Sequence, residues 1–229
     1  MEYRADTVIS EIVARDYRAA KVFKKYDIGF CCSGRTNLAE ASEQRNIDVN
    51  ALIAELEQVK IVTGNVNANY DNWPIDLLSD YIQKMHHTYV RESIPPLLAY
   101  LERIKLVHGD RHPELRDIYH FFNESAIVLS AHMKEEEKVL FPMFRQLAFQ
   151  QDVDERLMKA LINNMMEEHE NEDEQFLMIK NLTNNYNPPQ DACNTYRVAF
   201  GLLKEYHDDL IKHTHLENNV LFPAALNLI

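Results

Sequence analysis

Two stretches of the sequence decide the fold, AHMKEEEKVLFP at residues 131–142 and KHTHLENNVLFP at residues 212–223. Both fit the pattern H-x3-E-x2-V-L-F-P, and their first residues, His132 and His213, are 81 positions apart. The two stretches share four apolar or proline positions and two polar positions. Because this agreement is too extensive to arise by chance, the stretches form an internal repeat. The repeat predicts that one half of a helical domain echoes the other half.

Each copy of the repeat places a His and a Glu four residues apart, His132 with Glu136 and His213 with Glu217. Residues at i and i+4 lie on one face of an α-helix, about 6 Å apart along its axis, so each pair can direct an imidazole and a carboxylate to one point. The Val-Leu-Phe that follows continues an apolar stripe, which places both pairs in the interior, where an unpaired charge is costly. Because a metal ion removes that cost, each pair is a predicted metal-binding pair.

Four long segments around the repeat have the apolar spacing of helices and end at turn-forming residues. They cover approximately residues 76–108, 113–149, 152–184 and 189–227. Four helices with short connections predict an up-down four-helix bundle. Pro95 and Pro96 lie within the first segment and are expected to kink or split it, because proline removes a backbone donor.

The pattern of apolar residues in the first 60 positions predicts a separate, small helical domain. Their short apolar periods are interrupted near Asn37 and Asp48, side chains that can cap the helix that follows. Residues 61–75 are rich in Asn and have no helical period, so they read as a linker that places the bundle at residues 76–229. We therefore expect an all-α protein with a small N-terminal domain, a linker and a four-helix bundle.

The composition argues against several classes of partner. With 24 Lys plus Arg against 36 Asp plus Glu, the net charge of −12 repels phosphate backbones and anionic lipids, so neither nucleic acid nor a membrane is an expected partner. Only 5 of 229 residues are Gly, and no GxGxxG or GxxxxGK[ST] motif occurs. The sequence lacks a signal-peptide core and an apolar run of about 20 residues, which predicts a cytoplasmic location.

The first and third bundle helices are expected to supply further ligands, because sites in bundle cores draw on facing helices. His169 is the candidate on the third helix, whereas His86 and His87 compete for one position on the first, since helix neighbours point about 100° apart. Four imidazoles and two bridging carboxylates give each of two metal ions four donors, with octahedral positions left for an oxo or hydroxo bridge and an external ligand. This donor set favours two irons over structural zinc, and manganese suits it as well.

Polar residues beside the ligands form two further groups. The acidic ones are expected mainly on a solvated face, with one or two lining an exit path for iron. Asn218 and Asn219 are candidates for hydrogen bonds to the ligands. The acidic group consists of Glu135, Glu137, Glu167, Glu168 and Asp173.

Cys31 and Cys32 form an adjacent pair in a predicted loop. The chain has 3 Cys, an odd number that makes no disulfide framework and indicates a reducing compartment. Adjacent cysteines rarely bond each other, so these thiols bind metal, exchange disulfides or simply pack. They are the candidates for a redox or iron-transfer role, and no catalytic residue is assigned.

Taken together, these residues resemble the bacterial repair-of-iron-centres family, whose members have a hemerythrin-like di-iron bundle and an N-terminal double-Cys domain. The most specific segments are FKKYDIGFCCSGRTNLAEA, AHMKEEEKVLFPM, MEEH and HTHLENNVLFPAAL, and the resemblance covers nearly the whole chain. It implies two irons joined by an oxo or hydroxo bridge, Glu136 and Glu217 bridging, and His87 rather than His86 as a ligand. The implied ligand set is His87, His132, Glu136, His169, His213 and Glu217.

The resemblance also implies a function, the repair of iron-sulfur clusters damaged by nitrosative or oxidative stress through donation of labile iron. Its expected partners are proteins with damaged or apo clusters, nitric oxide or oxygen as a small ligand, and a second copy of the chain in a homodimer. Two alternatives stay open: an enzyme that reduces nitric oxide or consumes peroxide, and a sensor of oxygen, nitric oxide or iron. Reversible oxygen carriage is disfavoured, because both metal-binding pairs are His-x3-Glu.

Overall fold

A computed structural model of the chain describes residues 3–9, 12, 19–26, 28, 36–61 and 70–229, and Cys31 and Cys32 lie outside these residues. Across the described residues the regular elements are all helical, and one isolated β-bridge pairs Val8 with Asn37. The all-α prediction is confirmed. The chain divides into two compact units, Met1–Asn67 with Tyr186–Lys204, and Ala68–Asn185 with Glu205–Ile229. The boundaries predicted near residues 60 and 75 stay a prediction.

Among the described residues of the first unit, the N-terminal helices with assigned bounds are α1 (Ala19–Lys25), α2 (Leu38–Arg45) and α3 (Val49–Ile61). The predicted caps are confirmed. Asn37 accepts a hydrogen bond from the Glu40 N–H at 2.9 Å, and the Glu40 carboxylate accepts one from the Asn37 N–H at 3.2 Å. At the start of α3, Asp48 accepts from the Asn50 N–H. These caps satisfy backbone donors that the first turn of a helix leaves unpaired.

Four long helices form the bundle, and three of them contain one π-helical turn. The first comprises α4 (Ile75–Ile82), π1 (Gln83–His87) and α5 (Thr88–His108). The second comprises α6 (Glu114–Glu135), π2 (Glu136–Leu140) and α7 (Phe141–Ala148), and the third is α8 (Glu155–Leu182). The fourth comprises α9 (Asn194–Leu216), π3 (Glu217–Leu221) and α10 (Phe222–Leu226). The predicted four-helix bundle is confirmed, and no helix of the described residues is long and apolar enough to cross a membrane.

Pro95 and Pro96 lie inside α5, which continues through both of them, so the expectation of a split at this point is wrong. The two prolines deprive the carbonyls of Arg91 and Glu92 of their helical partners. Because Arg91, Glu92 and Pro95 are exposed, water can satisfy these carbonyls.

Apolar layers enclose the middle of the bundle in the second unit. One layer contains Leu78, Phe141, Met165 and Phe222, which belong to one cluster of buried apolar side chains. On the other side of the ligand positions, the rings of Phe122, Phe176 and Tyr206 pack with centroids 5.3 to 6.5 Å apart. Polar groups between such layers are shielded from water and need partners within the protein.

Candidate metal centre

The bundle brings six imidazole and carboxylate side chains to one buried point, all within the second unit. We call this set the ligand cluster. At most 3% of any of these residues is exposed. The cluster consists of the residues that the sequence predicts as ligands, His87, His132, Glu136, His169, His213 and Glu217.

The π-helical turns lie at the cluster. Glu136 is the first residue of π2, Glu217 is the first residue of π3, and His87 is the last residue of π1. A π-turn inserts an extra residue, which changes the direction of the side chains that follow relative to those before it. Each repeat copy can therefore present its His and Glu inward and still direct the following Leu-Phe into the apolar layer.

The ligand cluster consists of two overlapping groups, and within each group the nearest donor atoms all lie within 4.8 Å of one another. The first group contains His87 and His213, the second contains His132 and His169, and both groups include the same two carboxylates. The Nε2 atoms are 3.1 Å apart in the first histidine pair and 3.0 Å apart in the second. The arrangement offers two adjacent positions for a metal ion, with two carboxylates in reach of both.

Hydrogen bonds at the outer ring nitrogens determine which tautomer these histidines adopt. Nδ1 of His87 donates to Glu137 at 2.8 Å, and Nδ1 of His132 donates to Glu168 at 2.7 Å. The protons lie on Nδ1 because a carboxylate can only accept, so in the neutral rings the Nε2 lone pairs point into the cluster. Outer carboxylates of this kind orient metal-binding histidines and increase their basicity.

The cluster fits a cation better than it fits a self-contained hydrogen-bond network. The Nε2 lone pairs of His132 and His169 face each other and repel, whereas Nε2 of His213 donates to Oε1 of Glu217 at 2.9 Å. Among the described residues, both Glu136 oxygens and Oε2 of Glu217 are buried without a hydrogen bond. Glu136 Oε2 lies 3.3 Å from Nε2 of His132, and Glu217 Oε2 lies 3.3 Å from Nε2 of His169. Bound metal ions would satisfy the lone pairs and the carboxylates together, which is the chemistry that these donors share.

The electrostatics of the metal-free cluster indicate the same need for positive charge. Burial alone would lower the pKa of His87, but Glu136 and Glu217 outweigh burial and raise it to about 9. Burial would raise the pKa of Glu217, yet His213 and His169 hold it well below its usual range. Without metal, protons on imidazole provide the cations that the buried carboxylates require.

His213 differs from the other cluster histidines. Burial outweighs Glu217 and lowers the pKa of His213, and its buried Nδ1 has no hydrogen-bond partner among the described residues. In contrast, Nδ1 of His169 donates to the amide oxygen of Asn218 at 2.9 Å. The two halves of the cluster are therefore supported unequally.

The structure separates the two neighbouring histidines of the first helix. His87 joins the cluster, whereas Nδ1 of His86 lies 3.0 Å from Oδ1 of Asp209 and belongs to neither group. Asn218 supports a cluster histidine as expected, whereas the Asn219 amide contacts His215 at 3.1 Å on the exposed side of the helix.

Sequence reasoning missed two functional neighbours and one buried carboxyl group. Glu137 and Glu168, expected mainly on a solvated face, instead accept hydrogen bonds from cluster histidines. The available signal was their position directly next to predicted ligands. Glu172 is buried as well, accepts a hydrogen bond from the Ser125 hydroxyl, and has its pKa raised by burial.

The bundle and its cluster define a cation-binding helical protein of the hemerythrin type. Residues 79–225 match the family model described as the hemerythrin HHE cation binding domain. Residues 5–60 match a second model, ScdA_N, which is described as a domain of unknown function.

Relatives that match the chain across both of these regions narrow the class to one family. The iron-sulfur cluster repair proteins YtfE of Escherichia coli O1:K1, Escherichia fergusonii and Citrobacter koseri are each 34% identical to this chain over 226 residues. These matches cover 99% of this chain and 99% of each relative. The chain belongs to the family of hemerythrin-like iron-sulfur cluster repair proteins, which confirms the resemblance noted in its sequence.

Proposed function

We propose that the ligand cluster binds two iron ions and that the chain repairs iron-sulfur clusters by giving up iron from this site. The observation that carries the proposal is a pair of facing histidine Nε2 atoms in each half of the cluster, beside buried carboxylate oxygens that have no hydrogen bond within the part of the chain that the structure describes. His87 and His213 hold one iron, His132 and His169 hold the other, and Glu136 and Glu217 bridge them together with an oxo or hydroxo group. The name of the relatives supports the repair role.

The iron ions supply Lewis acidity and one-electron redox chemistry, and the chain decides how tightly they are held. Glu137 and Glu168 keep two imidazoles turned inward by accepting their Nδ1 protons. Arg91 donates to Glu137 at 2.7 Å, and the Asn164 amide donates to Glu168 at 2.9 Å, which fixes both carboxylates. Loading iron displaces protons from the cluster, and protonation of the ligands opposes rebinding.

The iron on the His87 and His213 side is the one released first. Nδ1 of His213 has no hydrogen-bond partner in the described ranges of the chain, whereas both histidines of the other half have one. Loss of such an outer partner typically lowers metal affinity about 10- to 100-fold. Unequal affinity lets the site transfer one iron and keep the second.

The acceptors of this iron are proteins with damaged or apo iron-sulfur clusters, and nitric oxide or oxygen binds at the open iron positions as a small ligand. The chain acts in the cytoplasm as a homodimer. Cys31 and Cys32, outside the described residues, serve iron transfer or redox exchange.

The test is iron content and transfer. The purified chain, loaded anaerobically with ferrous iron, is assayed for iron per chain and for the absorption band of the bridge before and after a nitric oxide donor. It is then mixed with an apo iron-sulfur protein or a chelator. Two irons per chain, one of them transferred while the bridge band fades, is the expected result. Iron that stays bound through many turnovers of nitric oxide or peroxide would replace the repair role by an enzymatic one, and a chain without iron would refute the site.

A further inference from the structure

A continuous series of aromatic rings leads from a partly exposed tryptophan to the cluster histidine His213. Trp73, the one tryptophan of the chain, contacts Tyr81 edge-to-face with ring centroids 5.3 Å apart. Tyr81 contacts His86 at 5.7 Å, and the ring of His86 is stacked on that of His213 at 5.8 Å with 7° between the planes. We call Trp73, Tyr81, His86 and His213 the aromatic path.

Tyr70 adds a proton-accepting group to the aromatic path. Its ring lies 5.0 Å from Trp73 and 5.3 Å from Tyr81, and its hydroxyl is 3.0 Å from the Tyr81 hydroxyl. Indole and phenol rings are the side chains that most readily lose a single electron, and a phenol that does so must also lose its proton. Tyr70 is placed to receive that proton.

His86 is buried, and neither group of the ligand cluster uses it. Its Nδ1 is held by Asp209 at 3.0 Å, which keeps the imidazole in one orientation. In that orientation the ring closes the gap between Tyr81 and His213. Metal binding explains why the neighbouring His87 is buried in the bundle, but it does not explain the position of His86.

We propose that Trp73, Tyr81 and His86 carry single electrons between the metal site and a one-electron redox partner at the surface of the bundle. The inference rests on the proposed metal site. It assigns a role to the side chains that lead outward from that site, and it identifies the partner by chemistry, as a one-electron oxidant or reductant that reaches Trp73.

The charges and protons balance in each step. An external oxidant takes one electron from Trp73, and the indole proton passes to water. Tyr81 then gives one electron to the Trp73 radical, which regains a proton from water. The phenolic proton of Tyr81 moves to the Tyr70 hydroxyl, and Tyr70 releases its own proton to water. One electron from ferrous iron at the site, passing through His213 and His86, restores the Tyr81 phenol with a proton returned through Tyr70. In total, one ferrous ion is oxidised and the external oxidant is reduced.

The state of Tyr81 agrees with such coupled transfer. Burial, the hydrogen bond with Tyr70 and the nearby carboxylate of Asp209 raise the pKa of Tyr81 to about 12. The phenol is therefore protonated at neutral pH, and its oxidation proceeds together with proton transfer to Tyr70. Tyr119 provides a matched control, because its ring packs under the Lys105 ammonium at 3.7 Å and has no ring contact with the aromatic path among the described residues.

Flash photolysis of the full chain tests the path without relying on repair activity. A ruthenium(II) complex is photo-excited and gives one electron to an added acceptor, and the ruthenium(III) complex that results oxidises Trp73. Transient absorption distinguishes the indolyl radical from the phenoxyl radical that replaces it. The protein is compared loaded with ferrous iron and loaded with zinc, which fills the same ligands but has no redox chemistry. We expect ferrous iron to shorten the lifetime of the phenoxyl radical relative to zinc, Tyr81→Phe to remove this phenoxyl signal and with it the iron-dependent shortening, and Tyr119→Phe to retain both.

Iron content and Trp73 fluorescence establish that each variant is folded and loaded. Equal phenoxyl lifetimes in the iron-loaded and zinc-loaded protein would overturn the path alone, as would a Tyr81→Phe variant that keeps the iron-dependent shortening. A chain that binds neither ion would overturn the metal site and the path together, so the two failures are distinguishable.

Discussion

Replacing one carboxylate, Glu136→Gln, tests whether the two halves of the ligand cluster share it. Glu136 Oε2 lies 3.3 Å from Nε2 of His132 and 3.4 Å from Nε2 of His87, so this one group reaches both halves. Glutamine preserves the size of the side chain and removes its charge. Breaking a buried charge pair costs about 3–5 kcal/mol, which corresponds to an affinity loss of about 100- to 4,000-fold at 1.4 kcal/mol per tenfold.

The assay is anaerobic titration with ferrous iron in competition with a coloured chelator, followed by iron analysis of the desalted protein. We expect Glu136→Gln to weaken both irons, whereas His132→Gln weakens only the iron in its own half. Glu135→Gln is the matched control, because Glu135 is the adjacent, exposed carboxylate and is not part of the cluster. A Glu136→Gln variant with the wild-type competition curve, or one that loses a single iron, would show that the carboxylate does not bridge.

Three further results are expected. Asn218→Ala should lower the affinity for iron about 10- to 100-fold through loss of an outer hydrogen bond, whereas Asn219→Ala should leave the chelator competition unchanged. The pKa of His87 is raised in the metal-free fold to about 9, from about 6.5 in the unfolded chain. Its contribution to stability is therefore complete below about pH 6.5 and lost as the pH rises through about 9, and urea unfolding of the metal-free protein across this range should show that decline. The double substitution of Cys31 and Cys32 by Ser should impair cluster repair in a purified assay while two irons stay bound, and undiminished repair would reduce these residues to packing.

The sequence was sufficient for the two His-Glu pairs of the ligand cluster, because i,i+4 spacing on a helix is a local property. His132 and Glu136 lie on one helix face whatever surrounds them, and the repeat fixed the second pair by analogy. Choosing His87 over His86 required the resemblance, since both positions lie within one turn and only the rotation of the helix separates them.

Local pattern did not reveal the contacts between helices or the π-helical turns. Glu137 and Glu168 read as surface residues, and each becomes a partner of a cluster histidine only when two helices pack in a particular rotation. The proline that closes each repeat copy, Pro142 or Pro223, lies directly behind a π-turn. A residue without an N–H that recurs inside two helices was the available sign of an interruption there.

The π-turns also set which changes of chain length the bundle tolerates. Deleting one residue from π2, such as the exposed Lys138, would restore a regular α-helix and rotate everything that follows by about 100°. Phe141 and Phe144 would then leave the apolar layer, although no ligand had been altered. The connecting turns of the bundle can gain or lose residues at little cost. In contrast, the three π-turns fix the number of residues between the metal site and the end of the core.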